Sequence, residues 1–154
     1  MTTKWEIYLT EDIETNKSDK LFTVPLYAEW QILWISIEYT ASSTSGSRLL
    51  EIQLQSKEGN VIGQWQAGVN QNENLTYSYL FGTGVPDTKT VPDSNSITTP
   101  LLGALFLSGG QIVRVWDNNA IDTAGDDMIV KMQYGGHILI EPEHVVINNC
   151  SHLL

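Results

Sequence analysis

The chain has 154 residues, 42% apolar and 17% charged, with 18 acidic against 8 basic residues and a formal net charge of −10. That length is one domain's worth and buries roughly 68 to 70% of the surface exposed by the unfolded chain, while the composition excludes a disordered tail. No apolar run approaches the roughly 18 residues of a membrane-spanning helix, and the acidic balance repels nucleic acid, so neither a membrane nor a nucleic acid is an expected partner.

The opening MTTKWEIYLTEDIETNKSDK has no basic segment followed by an apolar run, so no secretory signal is expected and synthesis in a cytoplasm is the default. Its charged, unpatterned TEDIETNKSDK suggests a peripheral arm over residues 1–20. Residues 21–134 are expected to form the folded body, and residues 135–154 a C-terminal strand or tail. The lone Cys150 permits no intrachain disulfide, which leaves stability to packing.

Along the chain, strands are expected at residues 4–9, 21–27, 30–40, 48–56, 61–67, 75–81, 101–107, 111–117, 127–134 and 137–140. β-Branched and aromatic residues recur there in short runs separated by Gly, Asn, Asp, Ser and Pro clusters. No helix is expected. The predicted fold class is all-β: an antiparallel β-sandwich, jelly-roll-like, a single domain with an extended loop and termini.

The strand at 30–40, within EWQILWISIEYT, is apolar on both parities. Leu33, Ile35, Ile37 and Tyr39 make one row, and Trp30, Ile32 and Trp34 are expected on the opposite face. A second apolar row must be covered, either by the chain's own N-terminal segment or a loop, or by a neighbouring subunit. LLGALF, residues 101–106, has the same two-sided character, so Trp30, Ile32, Trp34, Leu102 and Phe106 are the candidate interface residues.

Other strands alternate with period 2. Leu50, Ile52 and Leu54 are expected to face a core with Glu51, Gln53 and Gln55 in water. Tyr77, Tyr79 and Phe81, and likewise Met128, Val130 and Met132, repeat the pattern. KEGN at 57–60 and SGG at 108–110 are predicted as tight hairpins, and ASSTSGS at 41–47 as a longer hairpin tip. Residues 82–100, with Pro86, Pro92 and Pro100 and no apolar period, are predicted as either an arm lying on a neighbour or a surface loop. Gly135 and Gly136 are predicted as a hinge before the tail.

Catalytic chemistry finds few candidates. His137, His144 and His152 lack the alternate-residue spacing that would place two metal ligands on one strand face. The Asx-rich residues 117–127, DNNAIDTAGDD, offer oxygen ligands suited to calcium but not the spacing of an EF-hand, and such loops serve as turns. No nucleophile elbow, phosphate loop, dinucleotide fingerprint or C-x-x-C pair is present. No enzyme activity, catalytic residue, metal or cofactor is therefore assigned. Trp5, Trp65 and Trp116 could stack on sugars, or could be buried or interface aromatics.

The ordered set VPLYAEWQILWISIEYT, GSRLLEIQLQSKEGNVI and IVRVWDNNAIDTAGDDMIV resembles a group of small virion structural proteins of tailed bacteriophages. In that group Val-Pro and a Trp lead into the first long strand, and a glycine and an arginine open the next. An Arg-Val-aromatic-Asp strand then runs through AID to DDM. The match covers residues 23–134. Leu26, Tyr27, Ala28 and Glu29 stand where the pattern has a glycine turn, so the turn is expected to differ.

The resemblance implies a non-enzymatic β-sandwich component of the virion, a capsid decoration or cement protein on the capsid exterior that bridges capsid subunits. It further implies the major capsid protein or another virion protein as partner, and a homo-oligomer, with a trimer favoured. A neck, tail or fibre component is the alternative within that class. A carbohydrate-binding, lectin-like module and a metal-dependent cupin-like enzyme are the alternatives outside it.

Overall fold

The structure, a computed structural model, describes residues 4–103 and 105–138. Its ten strands are β1 (Glu6–Asp12), β2 (Asp19–Thr23), β3 (Ala28–Thr40), β4 (Leu50–Gln55), β5 (Val61–Gln66), β6 (Thr76–Gly82), β7 (Ser96–Pro100), β8 (Leu105–Ser108), β9 (Ile112–Asp117) and β10 (Asp127–Ile138). No helix occurs among the described residues. One sheet, A, has the order β1-β10-β3-β6-β7, with β8 also pairing β3. The other, B, has the order β2-β9-β4-β5. All pairings are antiparallel except β6 with β7. The fold is an all-β sandwich.

The period-2 rows meet in one core between the sheets. Sheet A contributes Ile35, Ile37 and Tyr39, Tyr77, Tyr79 and Phe81, and Met128, Val130 and Met132. Sheet B contributes Phe22, Leu50, Ile52, Leu54, Val113 and Val115. Each fully buried large apolar side chain contributes about 1.5–3 kcal/mol relative to exposure, enough for a domain without covalent staples.

β3 departs from the expected two-faced strand. Trp34 pairs with Gln133 and Ile32 with Tyr134, so Leu33 is an extra residue opposed by nothing on β10. A one-residue bulge exchanges the faces of a strand. Trp30 and Ile32 before it therefore enter the same core as Ile35, Ile37 and Tyr39 after it. Trp30, Ile32, Ile35, Ile37 and Tyr39, drawn from both parities of the sequence, thus form one inward row, with Leu33 and Trp34 left off it. The other neighbour of β3 changes at the same place, with β8 pairing residues 29–32 and β6 pairing residues 34–40.

Three turn expectations divide. KEGN closes the β4–β5 hairpin, where Gly59 has φ +89° and the Ser56 N–H donates to the Asn60 carbonyl at 2.8 Å. Residues 41–47 and 108–110 instead carry the chain from sheet A to sheet B. At Gly109 a Cβ would collide with the Leu26 carbonyl group, so the crossover passes directly against the β2–β3 connection. Only a side-chain-free residue fits between them.

Other elements also differ from expectation. The strand predicted at 101–107 is β8 alone, because Gly103 turns at φ +72° and leaves Leu102 79% exposed. Residues 82–100 contain β7, and the preceding segment folds back onto it: the Thr88 N–H donates to the Thr98 carbonyl at 2.9 Å, and the Thr98 hydroxyl to the Pro86 carbonyl at 2.6 Å. The hinge expected at Gly135 and Gly136 is regular strand, paired to β1 on one side and β3 on the other. Close packing explains Gly136, where a Cβ would lie 2.8 Å from the Glu29 carbonyl oxygen, whereas a Cβ at 135 would make ordinary contact with the Trp5 ring at 3.5 Å.

Candidate assembly surface

The outward face of sheet A is fixed by the aromatic stack on its inward side. Tyr8 stacks on Tyr134 at 5.5 Å between centroids, and Tyr134 on the core residue Trp30 at 4.1 Å. Tyr8 therefore shares the inward parity, and alternation along β1 turns Trp5, Ile7 and Leu9 outward. Ile7 and Leu9 are 68% and 58% exposed. The Trp5 ring covers Gly135 and meets the His137 ring edge-on at 4.8 Å.

On the same face, the Trp34 indole N–H donates to Gln133 Oε1 at 2.7 Å, and Leu33 lies half-buried beside it. Phe106 of β8 sits opposite Gln31 and is 64% exposed. The outcome is an apolar sheet face of Trp5, Ile7, Leu9, Trp34 and Phe106 on an otherwise acidic chain. Contiguous exposed apolar patches of this kind mark association surfaces.

Of the five interface candidates from the sequence, Trp34, Leu102 and Phe106 reach the surface. Trp30 and Ile32 do not, because the bulge at Leu33 places them in the chain's own core. Ile7 and Leu9 were missed. Their alternation is present in WEIYL, but Tyr8 between them obscures it.

His137 sits at the margin of this face, its Nε2 3.4 Å from Glu29 Oε2 and its buried Nδ1 without a hydrogen-bond partner. His144, His152 and Cys150 lie outside the described residues. No group of His, Cys, Asp or Glu side chains suited to a metal ion occurs among the described residues.

The Asx-rich segment engages its carboxylates internally. Asp117 accepts from the backbone N–H groups of Leu49, Asn119 and Ile121 at 2.8, 3.0 and 3.0 Å. Asp122 accepts from the Ser42 and Thr44 hydroxyls at 2.6 and 2.7 Å, which hold its pKa below the usual carboxylate range. Asp126 is fully buried with Arg48, which donates Nε to Oδ2 and Nη2 to Oδ1, both at 3.0 Å. Burial opposes Asp126 ionisation, but Arg48, Tyr39 and Ser42 donate to it and keep its pKa below the ordinary value. Burial and the bond to Asp126 push the Tyr39 hydroxyl pKa far up. This network ties the β3–β4 crossover to the β9–β10 crossover.

The outward face of sheet B is polar but is not the wet row expected of β4. Glu51 is 1% exposed, receiving Gln66 Nε2 at 2.7 Å and the Trp116 indole N–H at 3.3 Å. Gln55 donates to Gln53, and Gln53 to Glu51. The Arg114 guanidinium lies 3.7 Å from the Trp116 ring centroid and pairs with Asp19, Nη2 to Oδ2, at 2.6 Å. One face of Trp116 is thus occupied by Arg114, and Trp65 packs against the core. Of the three tryptophans considered for sugar stacking, Trp5 is the most exposed, and its ring already lies on Gly135.

No family model matches the chain, and no curated protein does. Similarity extends to solved structures, among them two from viral and subviral particles. One, from a crystal structure of the T13 IBDV viral particle, has a TM-score of 0.28 and 9% identity over 94% of this chain and 42% of the other. The second, from the infectious bursal disease virus VP2 subviral particle, has a TM-score of 0.22 and 11% identity over 94% of this chain and 44% of the other. The chain therefore spans less than half the length of either.

Proposed function

We propose that this protein is a non-enzymatic structural component of a bacteriophage virion, a capsid decoration or cement protein on the capsid exterior. It would bridge capsid subunits and stabilise the head, with the major capsid protein or another virion protein as partner and no requirement for a cofactor, nucleic acid or membrane. The observation that carries this reading is the apolar outward face of sheet A, in which Ile7, Leu9 and Phe106 are each more than half exposed. A free subunit of charge −10 stays in solution, and burial of that face on a shell adds contacts that the bare shell lacks.

At about 1.5–3 kcal/mol per side chain, three such residues offset a substantial part of an association cost of about 4–15 kcal/mol. The sequence resemblance over residues 23–134 supports the phage context. Strand order supports it too: β1-β10-β3-β6 and β2-β9-β4-β5 are the sheet orders expected if the sandwich is an eight-stranded jelly roll with β7 and β8 added, an architecture used by viral capsid domains and also by lectins. Fold alone does not choose between those uses, and the occupied faces of Trp65 and Trp116 weigh against a sugar platform.

The test is co-sedimentation with purified empty capsids, followed by a cryo-electron density map of the particle. Retention by capsids, loss of binding in Phe106→Asp, and density on the capsid exterior are the expected results. Density confined to the neck, tail or fibre would replace the cement role with the alternative position. Failure to associate with any virion part, together with glycan binding abolished by Trp5→Ala, would replace the virion reading altogether.

A further inference from the structure

Among the described residues β1 is an edge of sheet A, and of the devices by which edges are usually blunted it has only the acidic side chains of Glu6, Glu11 and Asp12. It pairs with β10 through seven consecutive residues without a register shift, and its sequence EIYLTED contains neither proline nor glycine. The other edge of sheet A, β7, ends in Pro100 and is covered by the segment containing Pro86 and Thr88. In sheet B, the edge strand β5 contains Gly63, and its ladder with β4 is broken by a register shift at Leu54 and Gln55. β2, the other edge of sheet B, pairs β9 without a register shift but exposes one large apolar side chain, Leu21. β8 is four residues long and exposes Phe106, whereas β1 exposes Ile7, Tyr8 and Leu9.

We infer that two copies of this chain pair antiparallel through their β1 edges about a twofold axis at Tyr8, extending sheet A across a dimer. The strand is self-complementary in that register. Ile7 of each copy faces Leu9 of the other on the outward face, and Tyr8 faces Tyr8. Lys4 faces Asp12, whose Oδ1 already accepts from Lys20 Nζ and the Glu14 N–H, leaving Oδ2 for the second copy. No like charges fall opposite one another. A parallel in-register pairing would set Glu6 against Glu6 and Glu11 against Glu11, and moving the axis to Leu9 would oppose Glu6 to Asp12. Charge therefore disfavours the parallel pairing and the Leu9 axis, while an axis at Ile7 opposes no like charges but forgoes the Lys4–Asp12 pair that favours the axis at Tyr8.

The contact is isologous and closes at two. A contact between two seven-residue strands is small among specific interfaces, so the expected dimer is of micromolar affinity rather than obligate. Trp34 and Phe106 remain uncovered on the extended face. The pairing is a property of the free subunit and goes beyond the capsid role, which stands or falls separately.

Sedimentation equilibrium of the full chain from micromolar to near-millimolar concentration is the first measurement. A reversible monomer–dimer equilibrium is expected, weakened at least tenfold by Ile7→Lys with the circular dichroism spectrum unchanged. The second is mild oxidation of Tyr8→Cys on a Cys150→Ser background. Directly opposed residues in an antiparallel ladder lie about 4.5–5.5 Å apart, within disulfide range, so a covalent dimer should form, and the same substitution at Val61 of β5 should give none.

A monomer at all concentrations without the Tyr8→Cys cross-link overturns the pairing. So does a trimer without that cross-link, and so does a monomer that dimerises only after residues 139–154 are deleted, which would assign the edge to the chain's own C-terminal segment. Capsid binding by the unaltered chain would leave the virion role intact in each of these cases.

Discussion

Arg48 and Asp126 face each other as a two-bond ion pair with neither side chain exposed, at the point where two crossovers between the sheets meet. The remaining Arg48 donors are satisfied as well, Nη1 by the Thr44 and Gly46 carbonyls at 2.8 Å and Nη2 also by Ser42 Oγ at 3.2 Å. A pair of this kind gains little over an apolar replacement, but removing one partner leaves an uncompensated buried charge.

Asp126→Asn is therefore expected to lower unfolding free energy by about 3–5 kcal/mol, and Arg48→Met by a similar amount. The double variant Arg48→Met/Asp126→Leu should lose less than the sum of the singles. Urea denaturation of all three, analysed as a double-mutant cycle, checks this.

Acid should unfold the protein in part through Asp126 and Asp12. The pKa values of Asp126 and Asp12 are both depressed in the folded state; for Asp12, burial opposes ionisation but hydrogen bonds from Lys20 and the Glu14 N–H outweigh it. A depressed carboxylate contributes stability that is fully present above its unfolded pKa of about 3.9 and is lost as pH falls through the lower folded value. Stability should be flat near neutrality and fall below about pH 4, by at most about 1.4 kcal/mol per pH unit for each carboxylate. Lys20→Met should make that acid limb shallower, as read from urea midpoints between pH 7 and pH 2.

Deleting Leu33 removes the bulge and leaves β3 with strict alternation. If β3 keeps its pairing from Ile35 to Thr40, Trp30 and Ile32 turn outward and the core loses both. The expected result is failure to fold, or a fold with Trp30 in water, recognised by red-shifted tryptophan emission. Leu33→Ala keeps the residue count and should cost less than about 1.5 kcal/mol, being a truncation at a half-buried site.

Gly109→Ala should destabilise by several kcal/mol, because the added Cβ meets the backbone of Leu26 rather than a movable side chain. Gly59→Ala has open space around it and carries only the penalty of its φ of +89°, about 1–2 kcal/mol. Thermal melts of the two variants should rank them in that order.

The sequence disclosed the core rows readily, because Leu50, Ile52 and Leu54 or Met128, Val130 and Met132 obey a period that only a half-buried strand satisfies. It concealed three things for physical reasons. A bulge changes parity without changing composition, so Trp30 and Trp34 look alike in sequence yet lie on opposite faces. Ser96–Pro100 is short, flanked by prolines and paired in parallel, so it resembles loop until β6 is beside it. Glu51 and Gln53 are polar but buried, because Trp116, Arg114 and Gln66 arrive from other strands to cover and bond them. The apolar outward face of sheet A was legible only in part: Phe106 and Trp34 were identifiable as apolar positions on it, while Ile7 and Leu9 required knowing that β1 lies at an edge.

Lys20 is the one lysine among the described residues whose side chain is wholly buried, its ammonium bonded to the Asp12 carbonyl and Oδ1 and to the Glu14 carbonyl at 3.1, 2.8 and 2.8 Å. Lys4, Lys57 and Lys89 stand largely in solvent. An amine-reactive label will therefore mark those three at once and Lys20 only when β1 and β2 separate. The rate at which that single site gains mass makes it a built-in clock for opening at the β1–β2 corner, readable by mass spectrometry.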